Sequence, residues 1–227
     1  MPNDLPQEDT DTQPDLRGTL PNFADHREQV LERLRNTPGV HLPADAADAE
    51  PKAPNDQSTR DFQAETDRQV SEGSDVLRNT EGLREDRWST LDVTDRLGVL
   101  SDVEARMANM QGRPPVPVTM ESMAPAEYGG YSSDQRQITL NENHLSGDTM
   151  PATEFADTIV HEGRHAYQDY AVQHPGFVSD QKTVDAWADN QSHYRDMQTY
   201  GADRYREQPL EKDAWEYAER VVKPIAN

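Results

Sequence analysis

The stretch from Thr158 to Gln168, reading Thr-Ile-Val-His-Glu-Gly-Arg-His-Ala-Tyr-Gln, places the sharpest constraint on what this chain can fold into. Ile159 and Val160 precede its polar centre, and Ala166, Tyr167 and Tyr170 follow it. That spacing predicts a partly buried amphipathic helix. On such a helix His161 and His165 stand one turn apart, on one face. Burying two imidazoles, the Glu162 carboxylate and the Arg164 guanidinium is costly unless each finds a partner. A metal ion is one such partner, since imidazole nitrogens one turn apart can both reach a Zn²⁺ at about 2.0–2.1 Å. Glu162, one step round the helix, would then take a proton from a metal-bound water. The plainer alternative is a solvated face carrying two histidines by coincidence, and the apolar flanks weigh against it.

Two histidines need at least one further protein ligand, with a position left for water if the site is catalytic. The chain has no cysteine, so that ligand is His, Asp or Glu. Glu211 is the first choice. It follows Pro209 in the first turn of a predicted helix and shares a face with Ala214 and Ala218, small residues that allow close helix–helix approach. A carboxylate there is also favoured simply by the helix N-terminus. Asp213 is assigned to the opposite, solvated face, with Glu216 and Arg220. His193 is the rival ligand, followed by Asp185; His144 and His174 fall on expected loops. Tyr194, Tyr200 and His193 are the candidate donors to a developing oxyanion. Gln168, three residues past His165, is placed to orient a ligand histidine or to be an ordinary surface glutamine. Gly163 costs its helix about 1 kcal/mol relative to Ala, which a close neighbour or substrate would explain.

Composition sets the outer limits. Only 33% of the 227 residues are hydrophobic and the formal net charge is −21. Such a chain cannot fill a core along its whole length, and residues 1–60, rich in Asp, Pro, Thr and Gln, are expected to be a disordered acidic tail. Within it Phe23, Val30, Leu31 and Leu34 could line one short helix over 22–36, and Pro43 to Pro54 reads as a linker. A secretion chaperone, an inhibitor or the active site itself is what such a tail could engage. The acidity argues against nucleic acid and anionic membranes as partners. No apolar run reaches transmembrane length and the start lacks a secretory signal, so a cytoplasmic location or export by a dedicated secretion system is expected.

Residues 61–87 show weak helical periodicity through Val70, Val76, Leu77 and Leu83 and read as a connector; residues 88–227 read as the folded domain. Its first helix, opened by Ser89 or Thr90, carries Leu97, Leu100, Val103 and Met107 and stops at Gly112. Val116–Met120 is a short edge strand, Glu127–Tyr131 a turn or second strand, and Arg136–Asn141 alternates as a half-buried strand does. After the His-Glu-x-x-His helix, one polar helix is expected over Thr183–Tyr205, with Trp187, Tyr194, Met197 and Tyr200 inward, and a last helix over Leu210–Val222. The fold class is therefore α+β: mainly helical, with a small three-stranded sheet against the His-Glu-x-x-His helix.

This order of elements, together with Gly130-Tyr131, Ile138-Thr139-Leu140-Asn141, His161 to Gln168 and Gln208 to Ala214, resembles the zincin metallopeptidases over roughly residues 88–222. Within them it is similar to small bacterial zincin-like domains found in hypothetical proteins and in toxin or effector modules. It departs from thermolysin-like gluzincins, which carry Glu-x-x-x-Asp, because Trp215 stands where that Asp would fall. The resemblance implies a zinc-dependent peptidase acting on a protein or peptide, with His161, His165 and Glu211 on Zn²⁺ and Glu162 as general base. Ile138, Thr139 and Leu140 would hold an extended substrate by strand addition. Two other readings use the same residues: a non-peptidase scaffold that binds a partner or senses metal, and an amidase acting on cell-wall peptide.

Overall fold

Glycine and small polar residues, rather than a run of large apolar ones, bring the first helix into the core. The computed structural model describes residues 57–147 and 150–226. Helix α1 (Gln57–Arg78) buries Thr66, Gln69, Gly73, Ser74 and Leu77. Ser74 Oγ donates to Val221 O at 2.9 Å, and a Cβ on Gly73 would lie 3.3 Å from both Met107 and Val221. The expected connector over 61–87 is thus a 22-residue packed helix that starts at Gln57, inside the stretch assigned to the tail. The rest of that tail, with its short helix and linker, lies outside the described residues.

A 3₁₀ turn (Glu81–Leu83) and α2 (Glu85–Trp88) lead to α3 (Val93–Gln111). The cap of α3 is Asp92, whose Oδ1 accepts from Asp95 N at 2.9 Å; Ser89 and Thr90 belong to the preceding turn instead. Leu100, Val103 and Met107 face inward, and Gly112, at φ +75°, ends the helix in the left-handed conformation glycine tolerates.

The sheet contains β1 (Val118–Glu121), β2 (Gly129–Ser132) and β3 (Gln137–Asn141) in the order β1-β3-β2. β1 pairs with β3 in parallel, Val118 opposite Ile138, and β2 pairs with β3 antiparallel, Tyr131 opposite Ile138. The strand of Ile138, Thr139 and Leu140 is therefore central. Both its edges are occupied and the Ile138 and Leu140 side chains are fully buried, so it cannot take a peptide by strand addition. The expectation for those residues is corrected on this point.

A short α4 (Glu142–Leu145) precedes α5 (Ala152–Gln173), the central element, which packs against the sheet, α3 and the last helix. α6 (Gln181–Ser192) is capped by Asp180. The chain does not continue as one helix to Tyr205. It forms α7 (Met197–Tyr200), newly capped by Asp196, and after Gly201 (φ +82°) α8 (Ala202–Arg206). Trp187 is inward as expected, but Tyr194, Met197 and Tyr200 are 46%, 52% and 45% exposed. Gln208 ties the two ends of this excursion together: it accepts from Asn190 Nδ2 (2.9 Å) and Arg195 N (3.0 Å) and donates to Arg195 O (2.9 Å). α9 (Pro209–Val222) then runs back along α5 and α1, with proline in its first turn where a missing N–H costs nothing. The architecture is α+β, mostly helical, and no helix among the described residues is long and apolar enough to cross a membrane.

Candidate metal centre

Ile159, Val160 and Ala166 turn one side of α5 into the core, which leaves His161, Arg164, His165 and Gln168 along the side that meets α9. The Nε2 atoms of His161 and His165 come to 3.1 Å of each other. α9 delivers Glu211, 1% exposed, between them: Oε2 is 3.3 Å from His161 Nε2 and Oε1 is 3.3 Å from His165 Nε2. The ligand atoms of these residues all lie within 4.8 Å of one another, a spacing suited to donors that share one ion with bonds of about 2 Å. Two imidazole nitrogens and a carboxylate are also the donor chemistry a zinc ion takes. Glu211 Oε2 and His161 Nδ1 are buried without a hydrogen-bond partner among the described residues. An anionic oxygen left so is costly, and a cation at the focus of the three side chains would satisfy it. The group fits the ion.

The electrostatics agree. Burial works to raise the Glu211 carboxyl, but the facing His161 and His165 imidazoles outweigh it and hold the group well below the ordinary carboxylate range. Burial likewise works to lower His165, yet the Glu211 carboxylate, aided by the charge of Glu162, pushes it up to about 9. Glu162 itself is half-buried beside the group. Tyr194 donates its hydroxyl to Glu211 Oε1 at 2.6 Å; burial and then the Glu211 charge push the phenol up.

Beyond the three side chains, the two histidines are treated differently. Gln168 Oε1 lies 2.9 Å from His165 Nδ1, while Gln168 Nε2 donates to Leu210 O (3.0 Å) and Asp213 Oδ2 (2.7 Å). Asp213 borders the surface that Glu216 and Arg220 line, but it is half-buried rather than freely solvated: it receives Arg164 through Nε (2.8 Å) and Nη2 (3.0 Å). Arg164, with no exposed surface, also donates to Gln69 Oε1 and lies over the rings of Tyr167 and Tyr217 at 4.4 and 4.5 Å. His161 instead has the Trp215 ring against it, at 4.6 Å between centroids, and Arg206 lies over Trp215 at 5.2 Å. One turn before His161, burial pushes the Asp157 carboxyl up to about 6; His161 counters this, and Glu219 and Glu162 add to it. Gly163 is explained by a neighbour. A Cβ there would sit 3.0 Å from Glu104 Oε2, and the Arg113 guanidinium paired with Glu104 donates to Gly163 O at 3.1 Å.

The structure thus brings Glu162, Tyr194 and Gln168 to His161, His165 and Glu211. It does not bring His193, an exposed residue whose ring turns to Asp189, nor exposed Asp185 and Tyr200. His144 and His174 stack on Tyr128 and Tyr170 outside the group. Sequence reasoning missed Asp157, Tyr205 and Trp215, and misplaced Asp213. Asp157 was within reach of the four-residue helix period from His161. Tyr205, whose ring meets Tyr194 edge-on, carried no local signal because the chain leaves α6 and returns before reaching it.

No family model matches the sequence. Neither the curated proteins nor the solved structures contain a match to it.

Proposed function

We propose that this chain is a zinc-dependent peptidase, with His161, His165 and Glu211 as the metal ligands and Glu162 as the general base. The observation that carries this reading is the buried meeting of two Nε2 atoms and one carboxylate on adjoining helices, with a half-buried glutamate beside them. When bound, the zinc ion supplies Lewis-acid polarisation of a carbonyl and of water. Glu162 takes the proton of the attacking water and passes it to the leaving amine. Tyr194, which is partly exposed and already reaches the site with its hydroxyl, is assigned to the developing oxyanion, with Tyr205 bracing its ring.

The substrate strand in this reading is β2, whose outer edge has no partner strand among the described residues. Asn141 N donates to Tyr128 O, so alternation along the antiparallel pair turns the backbone groups of Gly129 and Tyr131 to the free edge. Gly129 lies against Thr158 and the Tyr131 hydroxyl donates to Asp169, which sets β2 along the helix that carries Glu162. An extended peptide added there gains main-chain hydrogen bonds with little demand on its sequence.

Metal analysis by mass spectrometry, beside digestion of a mixed peptide pool, tests the reading. Wild type should carry about one zinc per chain, Glu211→Ala should lose it, and Glu162→Gln should keep the zinc while cleavage stops. A wild type that takes up no zinc when it is supplied, or a Glu162→Gln variant that still cuts, would sink the assignment. Zinc without cleavage of peptides or of purified peptidoglycan would leave a metal-binding scaffold.

A further inference from the structure

Arg164, His165 and Gln168 lie on the face of α5 that α9 covers, and Gln168 grips α9 on both sides of Glu211, at Leu210 O and at Asp213 Oδ2. The structure assigns to Arg164, Gln168 and Asp213 one joint role: they are positioning residues that fix the tautomer of His165 and the register of α9, so that Glu211 arrives between the two imidazoles. The assignment rests on the reading of His161, His165 and Glu211 as metal ligands.

The tautomer follows from counting hydrogens. The Gln168 amide has two, and both are committed, to Leu210 O and to Asp213 Oδ2. Its Oε1 therefore faces His165 and accepts, so the proton sits on Nδ1 and the Nε2 lone pair is free for a ligand bond. The amide is held in that orientation because Asp213 cannot turn away: Arg164 holds both its oxygens. Arg164 in turn is fixed by Gln69 and by the faces of Tyr167 and Tyr217.

Register follows from the same bonds. A one-residue slip of α9 would present Leu210 or Lys212 where Glu211 now stands, and would break the bonds at Leu210 O and Asp213 together. The eight residues from His161 to Gln168 therefore supply two ligands and also recognise the helix that supplies the third. Written as sequence, the unit is His-x-x-Arg-His-x-x-Gln with Glu-x-Asp.

Asp213→Asn and Gln168→Met test the assignment against Leu77→Ala, which removes from the core a buried α1 side chain that takes no part in these hydrogen bonds. An asparagine offers one acceptor oxygen where three N–H groups now converge on two. Gln168→Met removes the link to His165 and leaves the Arg164–Asp213 pair in place. Zinc affinity, measured by competition with a chelating dye, should fall about 10- to 100-fold in both variants. The visible spectrum of the cobalt-loaded protein should change with it. Leu77→Ala should lower the unfolding midpoint and leave both readouts at wild type. Wild-type zinc affinity and cobalt spectrum in Gln168→Met, the variant that keeps the Arg164–Asp213 pair, would overturn the assignment; so would an equal loss in Leu77→Ala. Should wild type bind neither zinc nor cobalt, the ligand reading fails on its own. The histidine ring nitrogens of the metal-free protein, read by NMR at pH 10, then decide the positioning role. His165 protonated on Nδ1 in wild type and mixed in Gln168→Met upholds it; an Nε2-protonated ring in wild type ends it.

Discussion

The two histidines of the candidate site sit one helical turn apart and are held by opposite means. His165 is hydrogen-bonded to Gln168, and that bond continues through Asp213 to a guanidinium with no exposed surface. His161 has an aromatic wall, Trp215, and a buried Nδ1 that meets no acceptor among the described residues. One half is built by directional bonds that exist before any ion arrives. The other is built by packing, which fixes the plane of a ring far better than the position of its proton. A site made this way is pre-organised on one side, and on the other a cation would supply the partner that the protein leaves out at Glu211 Oε2.

Cutting the anchored half should have the largest effect. Asp213→Leu leaves the Arg164 charge buried without its carboxylate, and removing one partner of a buried pair typically costs about 3–5 kcal/mol. Denaturant unfolding of the metal-free protein should show a loss of that size. The equivalent change on the packed side, Trp215→Phe, keeps an aromatic ring against His161 and should cost clearly less. Equal losses would mean that the two halves contribute alike and that the contrast between them is only one of appearance.

Filling the site should erase much of the contrast. Zinc at a thousand times its dissociation constant would stabilise the folded state by about 4 kcal/mol, if it binds only that state. Stability against pH supplies the finer test. His165 titrates at about 9 in the folded, metal-free protein and near 6.5 when unfolded. Its raised value contributes stability that is fully present below the unfolded pKa and lost as pH rises through about 9. The unfolding midpoint of the metal-free protein should therefore drop between pH 6.5 and 9. Zinc, which takes the place of that proton, should flatten the slope. A midpoint that is level across this window without metal would show that His165 does not carry the proton.

How far the sequence could be read depended on whether a feature was local. α5, the pair of histidines and Glu162 lie within one helix period, and Glu211 was accessible through the small Ala214 and Ala218 on its own face. α1 left only a weak trace, through Val70, Val76 and Leu77, because the rest of its buried stripe is Thr66, Gln69, Gly73 and Ser74, residues whose inward position depends on partners such as Val221 far along the chain. Asp213 was misplaced for the same reason, since nothing within α9 indicates that Arg164 waits across the interface. The central place of β3 was equally hidden. Alternation along Gln137–Asn141 gives the face each side chain takes, not which neighbours its backbone has, and β3 slots between β1 and β2 only after the chain has passed through β2.

The smallest expected effect lies on the packed side, one turn before His161. The Asp157 carboxyl is pushed up to about 6, chiefly by burial and partly by Glu219 and Glu162, against an ordinary value of 3.8. A raised carboxyl binds its proton more tightly in the folded state, so its charged form costs stability once pH passes from about 4 to 6. Asp157→Asn removes that penalty and should leave the metal-free protein slightly more stable at pH 7, by about 1 kcal/mol or less, with no gain at pH 4. Paired unfolding curves at the two pH values decide it. A loss at pH 7 would mean that the ionised carboxylate supports the His161 ring directly. The unanchored half of the site would then have an electrostatic brace of its own, and the division between a bonded histidine and a packed one would have to be redrawn.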